Sequence, residues 1–291
     1  MKTVRDIKTL RDLTQGWHQD GDNIALVPTM GSLHSGHISL VRLAHEYAER
    51  VIVSVFVNPT QFGPDEDYKS YPRSLDNDRR RLSRAGVDLL FAPGNEEIYP
   101  FGEEAMTCVS VPDLSTVLCG DSRPGHFDGV TSVVSRLFNI IQPDVAVFGQ
   151  KDYQQLVIIR RMVTDLHLPI KILAGQTQRQ DDGLALSSRN RYLSEAERSV
   201  APQLHGALRH CRDQIMSGNR DFAKLESEAR KQLEASGFEV DYFVVRKAGD
   251  LRPPDIDSRH LVILAAARLG EARLIDNILI EAHEQMRSTG T

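Results

Sequence analysis

"NIALVPTMGSLHSGHISLVRLA", Asn23 to Ala44, decides how the rest of the chain is read. Its first seven residues, Asn23 to Thr29, are mostly apolar and read as a strand. From Ser35 onward Ile38, Leu40, Val41, Leu43 and Ala44 recur at helical spacing, and Tyr47 continues the stripe. Between strand and helix lie two histidines, His34 and His37, three apart with Gly36 just before the second. A helix start offers free backbone N–H groups and the positive end of its dipole, which favours an anion there. Gly31 and Gly36 let backbone approach a ligand closely. Two imidazoles beside those amides can donate to phosphate oxygens as charge grows in a transition state. A metal site at the pair needs a third ligand, and nothing nearby clearly supplies one. Simple lining of a loop is the remaining alternative.

Outward from this junction the same alternation repeats. Val51 to Asn58 is nearly continuous and β-branched, as in a strand buried on both faces of a parallel sheet. A helical stretch, Leu75 to Gly86, precedes the strand Val87 to Pro93. Then come a helix (Gly129 to Gln142), a strand (Asp144 to Gln150), a helix (Tyr153 to Leu166) and a strand (Ile170 to Gly175). Residues 1–175 are therefore expected to form an α/β domain, a doubly wound parallel sheet. From 176 to 291 helices come first, Ser194 to Ser236 with a break near Gly218. The runs Phe238 to Gly249, His260 to Gly270 and Ala272 to Ile280 then read as strands. That order predicts a smaller α+β domain. Its last residues, Glu284 to Thr291, are expected to fray.

The chain has 291 residues, 41% hydrophobic and 26% charged, which suits a globular protein with a sizeable core. Its formal net charge of −5 provides no global attraction for nucleic acid. The basic runs Asp78 to Arg84 and Arg160 to Met162 read as solvated helix faces. Cys108, Cys119 and Cys211 form no CxxC pair, and small core residues in a reducing compartment are expected. The start, "MKTVRDIKTLRDL", lacks the apolar centre of a signal peptide. No run approaches the roughly 18 apolar residues of a membrane helix. A cytoplasmic protein without a membrane partner is expected.

In doubly wound sheets ligands gather beyond the carboxyl ends of the strands, and three further segments fall there. Val57 to Phe62, "VNPTQF", offers the amides of Asn58 and Gln61, which both donate and accept. Phe148 to Leu156, "FGQKDYQQL", offers Lys151 for phosphate, Asp152 for a ribose hydroxyl and Gln155 on the new helix. Leu184 to Leu193, "LALSSRNRYL", places Ser187, Ser188 and Arg189 where they would close over a triphosphate or cap the following helix.

Together, "PTMGSLHSGHISL", "VFVNPTQFGPDEDYKSYPRSLDND", "RPGHFDGV", "NIIQPDVAVFGQKDYQQL" and "DGLALSSRNRYLS" resemble the pantoate–β-alanine ligases that form AMP. The resemblance runs in order from about Val4 to Ile280. HxGH alone marks only a wider nucleotidyltransferase group, whereas the NPTQF, FGxKDxQQ and LSSRN segments are specific to this family. It implies a Rossmann-like first domain, a cytosolic homodimer and MgATP as co-substrate. Pantoate is activated as pantoyl adenylate with release of pyrophosphate, and the amine of β-alanine then displaces AMP. At matching positions ATP is held by Met30, Gly31, Ser32, Leu33, His34, Ser35, Gly36 and His37. Gly149, Gln150, Lys151, Asp152, Gln178, Leu186, Ser187, Ser188 and Arg189 complete its site. His37, His34, Lys151 and Arg189 carry the catalysis, and Gln61 and Gln155, with Asn58 close by, bind pantoate and β-alanine. No protein-held metal is implied, because Mg²⁺ rides on the phosphates.

Four positions depart from the family's usual pattern. Gln176 and Gln178 stand where a proline and a small apolar residue are common, Ser35 replaces an acidic residue, and Gln150 replaces a glutamate. Two rival readings are another HxGH nucleotidyltransferase, including a class I aminoacyl-tRNA synthetase, and a non-catalytic nucleotide- or metal-binding regulator. A synthetase usually adds an RNA-binding domain and a basic surface, which this short acidic chain lacks.

Overall fold

The computed structural model describes residues 1–64 and 66–281. The closing segment expected to fray, Glu284 to Thr291, lies outside them. Within the described residues the chain forms two compact units. The first holds Met1–Gln180 and Ala185–Ser188, and the second holds Asp181–Leu184 and everything from Arg189 onward. The first unit thus runs past the expected boundary at residue 175 and takes back Ala185–Ser188. A bridge between Arg179 and Ala185 and a bond from the Leu186 N–H to the Gln178 carbonyl tie those residues to it.

In the first unit the strands are β1 (Lys2–Val4), β2 (Ile24–Thr29), β3 (Arg50–Val55), β4 (Leu89–Phe91), β5 (Val145–Gly149) and β6 (Lys171–Gly175). They form one sheet in the order β1-β4-β3-β2-β5-β6, parallel at every pairing. The helices are α1 (Ile7–Asp20), α2 (Ser35–His45), α3 (Leu75–Arg84), α4 (Asn95–Ile98), α5 (Cys119–Ser122), α6 (His126–Ile141) and α7 (Tyr153–Asp165). Strand order runs one way from β2 to β4 and the other way from β5 to β6, so the switch point lies between β2 and β5. The doubly wound parallel sheet expected for this half is present. Four elements of this unit were not anticipated: the helices α1, α4 and α5, and β1, which is only three residues long and pairs with β4 at the sheet edge.

The apolar runs at the sheet centre are buried as a parallel sheet requires. Ile24 to Val27 and Val51 to Val53 are fully inaccessible. Leu40, Val41 and Ala44 on one stripe of α2 pack onto β2, β3 and β5. Burying each valine, leucine or isoleucine of this set stabilises the fold by about 1.5–3 kcal/mol.

The second unit contains α8 (Glu195–Val200), α9 (Gln203–Met216), α10 (Phe222–Ala235) and the strands β7 (Glu239–Lys247), β8 (His260–Leu269) and β9 (Ala272–Glu281). The strands form an antiparallel sheet in sequence order, and Leu204, Leu208, Cys211, Leu233 and Ile263 belong to its separate core. This is the α+β unit that the element order predicts. Cys119 and Cys211 are buried as expected, but Cys108 is exposed. Among the described residues no helix is long and apolar enough to cross a membrane.

Candidate active site

The loop after β2 is shaped by two successive left-handed residues, Gly31 (φ +84°) and Ser32 (φ +51°). Successive N–H groups in such a bend converge on an anion. Here that anion is a side chain of the protein. The Ser32 and Leu33 amides donate to the Asp78 carboxylate at 2.9 and 2.8 Å. Asp78, on α3, is only 1% exposed, and Arg81 one turn on donates to the Leu33 carbonyl at 2.8 Å. The run Asp78 to Arg84 is therefore not simply a solvated face. Its first turn grips the loop, because Asp78 and Leu82 face inward together.

That grip alters the expectation for the amides of Met30 to His37. Gly31 donates to the Thr29 hydroxyl, Ser32 and Leu33 to Asp78, and His37 to the His34 carbonyl. Of this stretch, only the Met30 and Ser35 amides have no acceptor among the described residues. Backbone alone is thus a smaller share of the anion site than the strand-to-helix junction suggests. A cleft of about 310 Å³ opens against Met30 and Gly31, walled also by Val55, Phe56, Val57 and the start of α3.

The two histidines cap α2 reciprocally. His34 is its N-cap residue, and its Nδ1 accepts from the Gly36 N–H at 3.2 Å. The Nδ1 of His37 accepts from the His34 N–H, also at 3.2 Å. A backbone N–H can only donate, so both Nδ1 atoms carry lone pairs and each neutral ring holds its proton on Nε2. Burial pushes the His37 imidazole down to about 3, helped by the charges of His34 and Lys151. Burial, then Lys151 and Arg81, lowers His34 to about 4, with Asp152 opposing. Both rings are consequently neutral N–H donors at pH 7. The same arrangement weighs against a metal at the pair, because binding at Nε2 would displace its proton and compete with the backbone bond to Nδ1. Among the described residues no group of three or more His, Cys, Asp or Glu side chains gathers as a metal site.

Lys151 and Asp152 stand in a short 3₁₀ turn (Gln150–Asp152) between β5 and α7, across the switch point from His34. Their charges act on His34, and that of Lys151 also on His37. The structure thus brings these four sequence-predicted residues together. The adjacent glutamines divide. Gln154 is 4% exposed and ties down the segment 114–119 through Leu114, Val117 and Cys119. The Gln155 amide remains uncommitted among the described residues.

Asn58, expected among the substrate contacts, is a support instead. It is 1% exposed, and its amide donates to Gln61 Oε1 and the Gly129 carbonyl, both at 3.1 Å. Its oxygen accepts from Tyr99 at 2.6 Å and Thr60 at 3.0 Å. All four of its hydrogen-bonding sites are filled, leaving none for a ligand. Gln61, in contrast, has for its Nε2 among the described residues only the Met30 sulfur, 3.2 Å away and a weak acceptor.

Gln178 lies with its Cβ 3.8 Å from the position of a Cβ added at Gly36, beside the histidine cap. Its carbonyl is taken by Leu186, so a backbone contact to adenine from that oxygen would be shared. Leu186, Ser187 and Ser188 belong to the first unit, whereas Arg189 belongs to the second.

The tautomers lead to a spectroscopic expectation. Nitrogen-15 shifts of the imidazoles should show His34 and His37 as Nε2–H tautomers that stay neutral at pH 5. Their native values lie below the ordinary value of about 6.5, so the unfolded chain binds more protons between the two. Stability is complete above about pH 6.5 and falls as pH drops toward 4, by up to about 1.4 kcal/mol per pH unit for His37. A His34 or His37 resonance titrating near 6.5 overturns the assignment.

The chain matches the sequence family described as pantoate-beta-alanine ligase over residues 2–279. It is 53% identical to the pantothenate synthetase of Pseudomonas savastanoi pv. phaseolicola, with 96% of this chain and 98% of that protein covered. To the pantothenate synthetase of Pseudomonas putida GB-1 it is 54% identical, with 98% and 99% covered. Among solved structures, pantothenate synthetase from Thermus thermophilus superposes with a TM-score of 0.90 at 44% identity, covering 97% of this chain and all of that one. The Francisella tularensis pantoate-beta-alanine ligase, crystallised with beta-gamma ATP and beta-alanine, gives 0.80 at 35% identity, covering 96% and 97%. With a parallel sheet switched between β2 and β5 and a paired histidine cap at that switch, the chain belongs to the pantoate–β-alanine ligase family of enzymes.

Proposed function

We propose that this enzyme joins pantoate to β-alanine in two steps at one site, with pantoyl adenylate between them. The observation that carries the reading is the pair of neutral Nε2–H donors beside Lys151 at the switch point. In the first step a pantoate carboxylate oxygen bonds to the α-phosphorus of ATP, and the bond from that phosphorus to the β-phosphate bridge breaks. Pyrophosphate leaves. The carboxylate is already ionised at pH 7, so no general base is needed. Charge grows on phosphate oxygens, and His34, His37 and Lys151 meet it with fixed donors. Neutral imidazoles suit this task, since an N–H placed in advance costs no reorganisation. In the second step the β-alanine nitrogen bonds to the acyl carbon, AMP leaves, and the amine loses a proton.

Gln61 and Gln155 are the proposed pantoate contacts, the first through its Nε2. Gln150, Asp152, Gln178, Ser187, Ser188 and Arg189 are the proposed nucleotide contacts, by resemblance to the family. By the same resemblance, Mg²⁺ would enter on the phosphates and neutralise part of their charge. A cytoplasmic homodimer is proposed on the same resemblance. The test is product analysis with MgATP, omitting pantoate and β-alanine in turn. AMP and pyrophosphate should appear in step with pantothenate only when both are present. A burst of pyrophosphate with pantoate alone places the adenylate on the path. Intact ATP, or ADP as product, overturns the reading.

A further inference from the structure

The segment "RPGHFDGV", Arg123 to Val130, forms the approach to α6 and its first turn. His126 Nδ1 lies 2.7 Å from the Gln61 carbonyl. A carbonyl only accepts, so Nδ1 carries the proton, and Nε2 accepts from Arg123 Nη1 at 3.0 Å. Arg123 reaches the same carbonyl through Nη2 at 3.4 Å. It is itself fixed by two bonds to Glu66, from Nε at 2.6 Å and Nη2 at 2.5 Å. Gly129, one turn later, packs against the chain without a side chain. A Cβ there would fall 2.3 Å from the Thr60 carbonyl oxygen and 2.7 Å from the Gln61 nitrogen. Its own carbonyl accepts from Asn58, whose amide also holds Gln61 Oε1.

From this we propose that His126 and Gly129 are positioning residues of the pantoate site, acting only through Gln61. His126 fixes the Gln61 carbonyl, Gly129 lets the 59–61 turn seat against α6, and Asn58 holds Oε1 so that Nε2 is left toward the Met30 sulfur, a weak acceptor that a ligand can replace. Neither residue needs to touch a substrate. Burial, with Arg123 alongside, pushes His126 down to about 4, so it stays a neutral Nδ1–H donor through the physiological range. The inference rests on the reading above that Gln61 contacts pantoate.

The test is steady-state kinetics on His126→Ala, His126→Asn, Gly129→Ala, Gln61→Ala and the Gln61→Ala/His126→Ala double variant. His126→Ala should raise the KM for pantoate about tenfold, the effect of one positioning hydrogen bond, and leave those for ATP and β-alanine within about twofold. Asparagine places an amide N–H near Nδ1, so His126→Asn should recover most of the loss. Gly129→Ala favours the helix itself yet displaces the turn, so its pantoate KM should rise further. The double variant should be no worse than Gln61→Ala, because a residue acting through Gln61 adds nothing once that side chain is gone. Additive effects, equal rises in all three KM values, or an asparagine variant as poor as alanine overturn the inference and leave Gln61's role standing. If Gln61→Ala itself leaves the pantoate KM unchanged, the underlying reading fails and takes the inference with it. Should Gly129→Ala not fold, the two His126 variants and the double variant decide.

Discussion

Replacing His37 with alanine is expected to slow adenylate formation by about 10²- to 10³-fold, typical of one lost transition-state donor. The tautomer makes the expectation more specific than a simple loss. His37 uses Nδ1 to accept from the His34 amide and leaves Nε2–H for the ligand. Asparagine can supply an oxygen near Nδ1, so His37→Asn should preserve the helix cap while remaining nearly as slow as alanine. Glutamine reaches toward Nε2 with an N–H, so His37→Gln should recover part of the rate while losing the cap. Loss of the cap costs about 1 kcal/mol of stability, far too little to account for a hundredfold rate change in folded protein. Single-turnover release of pyrophosphate at saturating ATP and pantoate is the measurement. A variant with near wild-type rate removes His37 from the mechanism, and an asparagine variant faster than glutamine reverses the assigned tautomer.

Asp78→Ala should be the most damaging change outside the substrate contacts. It strands the Ser32 and Leu33 amides in a place where solvent hardly reaches Asp78. Each orphaned donor costs about 1–3 kcal/mol, so a loss of about 2–6 kcal/mol in denaturant unfolding is expected. Activity should fall as well, because this bend sets the direction in which His34 enters α2. Asparagine keeps the shape but turns an N–H₂ toward one of the two amides, so Asp78→Asn should lie between wild type and alanine. An unchanged denaturation midpoint for Asp78→Ala would show that the bend holds without its carboxylate.

Much of this molecule is legible in the chain. The continuous apolar runs of β2, β3, β5 and the Asn23–Ala44 junction identify the parallel sheet because burial on both faces demands such runs. The strand order, and with it the switch point between β2 and β5, comes only from the pairings. What escaped is partly local, as in α1 with its Asp6 cap and Gly21 stop, and partly long-range. Three residues of β1 have no periodicity to read, and only pairing with β4 makes them a strand. Asp78 sits in a run of charges that resembles any solvated helix, and its partners lie 45 and 46 positions away. Asn58 and Gln61 look equivalent as letters, yet Tyr99, Thr60 and Gly129 help fill the first, while the Nε2 of the second meets a weak sulfur acceptor. Satisfaction of hydrogen bonds is a tertiary property, which no spacing rule encodes.

The boundary between the two units is not a single point along the polypeptide. After Gln180 the chain lends four residues, Asp181–Leu184, to the second unit, and it returns for Ala185–Ser188 before leaving for good at Arg189. A gene cut at any one codon in this interval therefore misassigns residues to one half or the other. Ending the first half at Gln180 removes Leu186 and leaves the Gln178 carbonyl without its donor, directly beside the histidine cap. Two units in space are thus not two consecutive stretches of the gene.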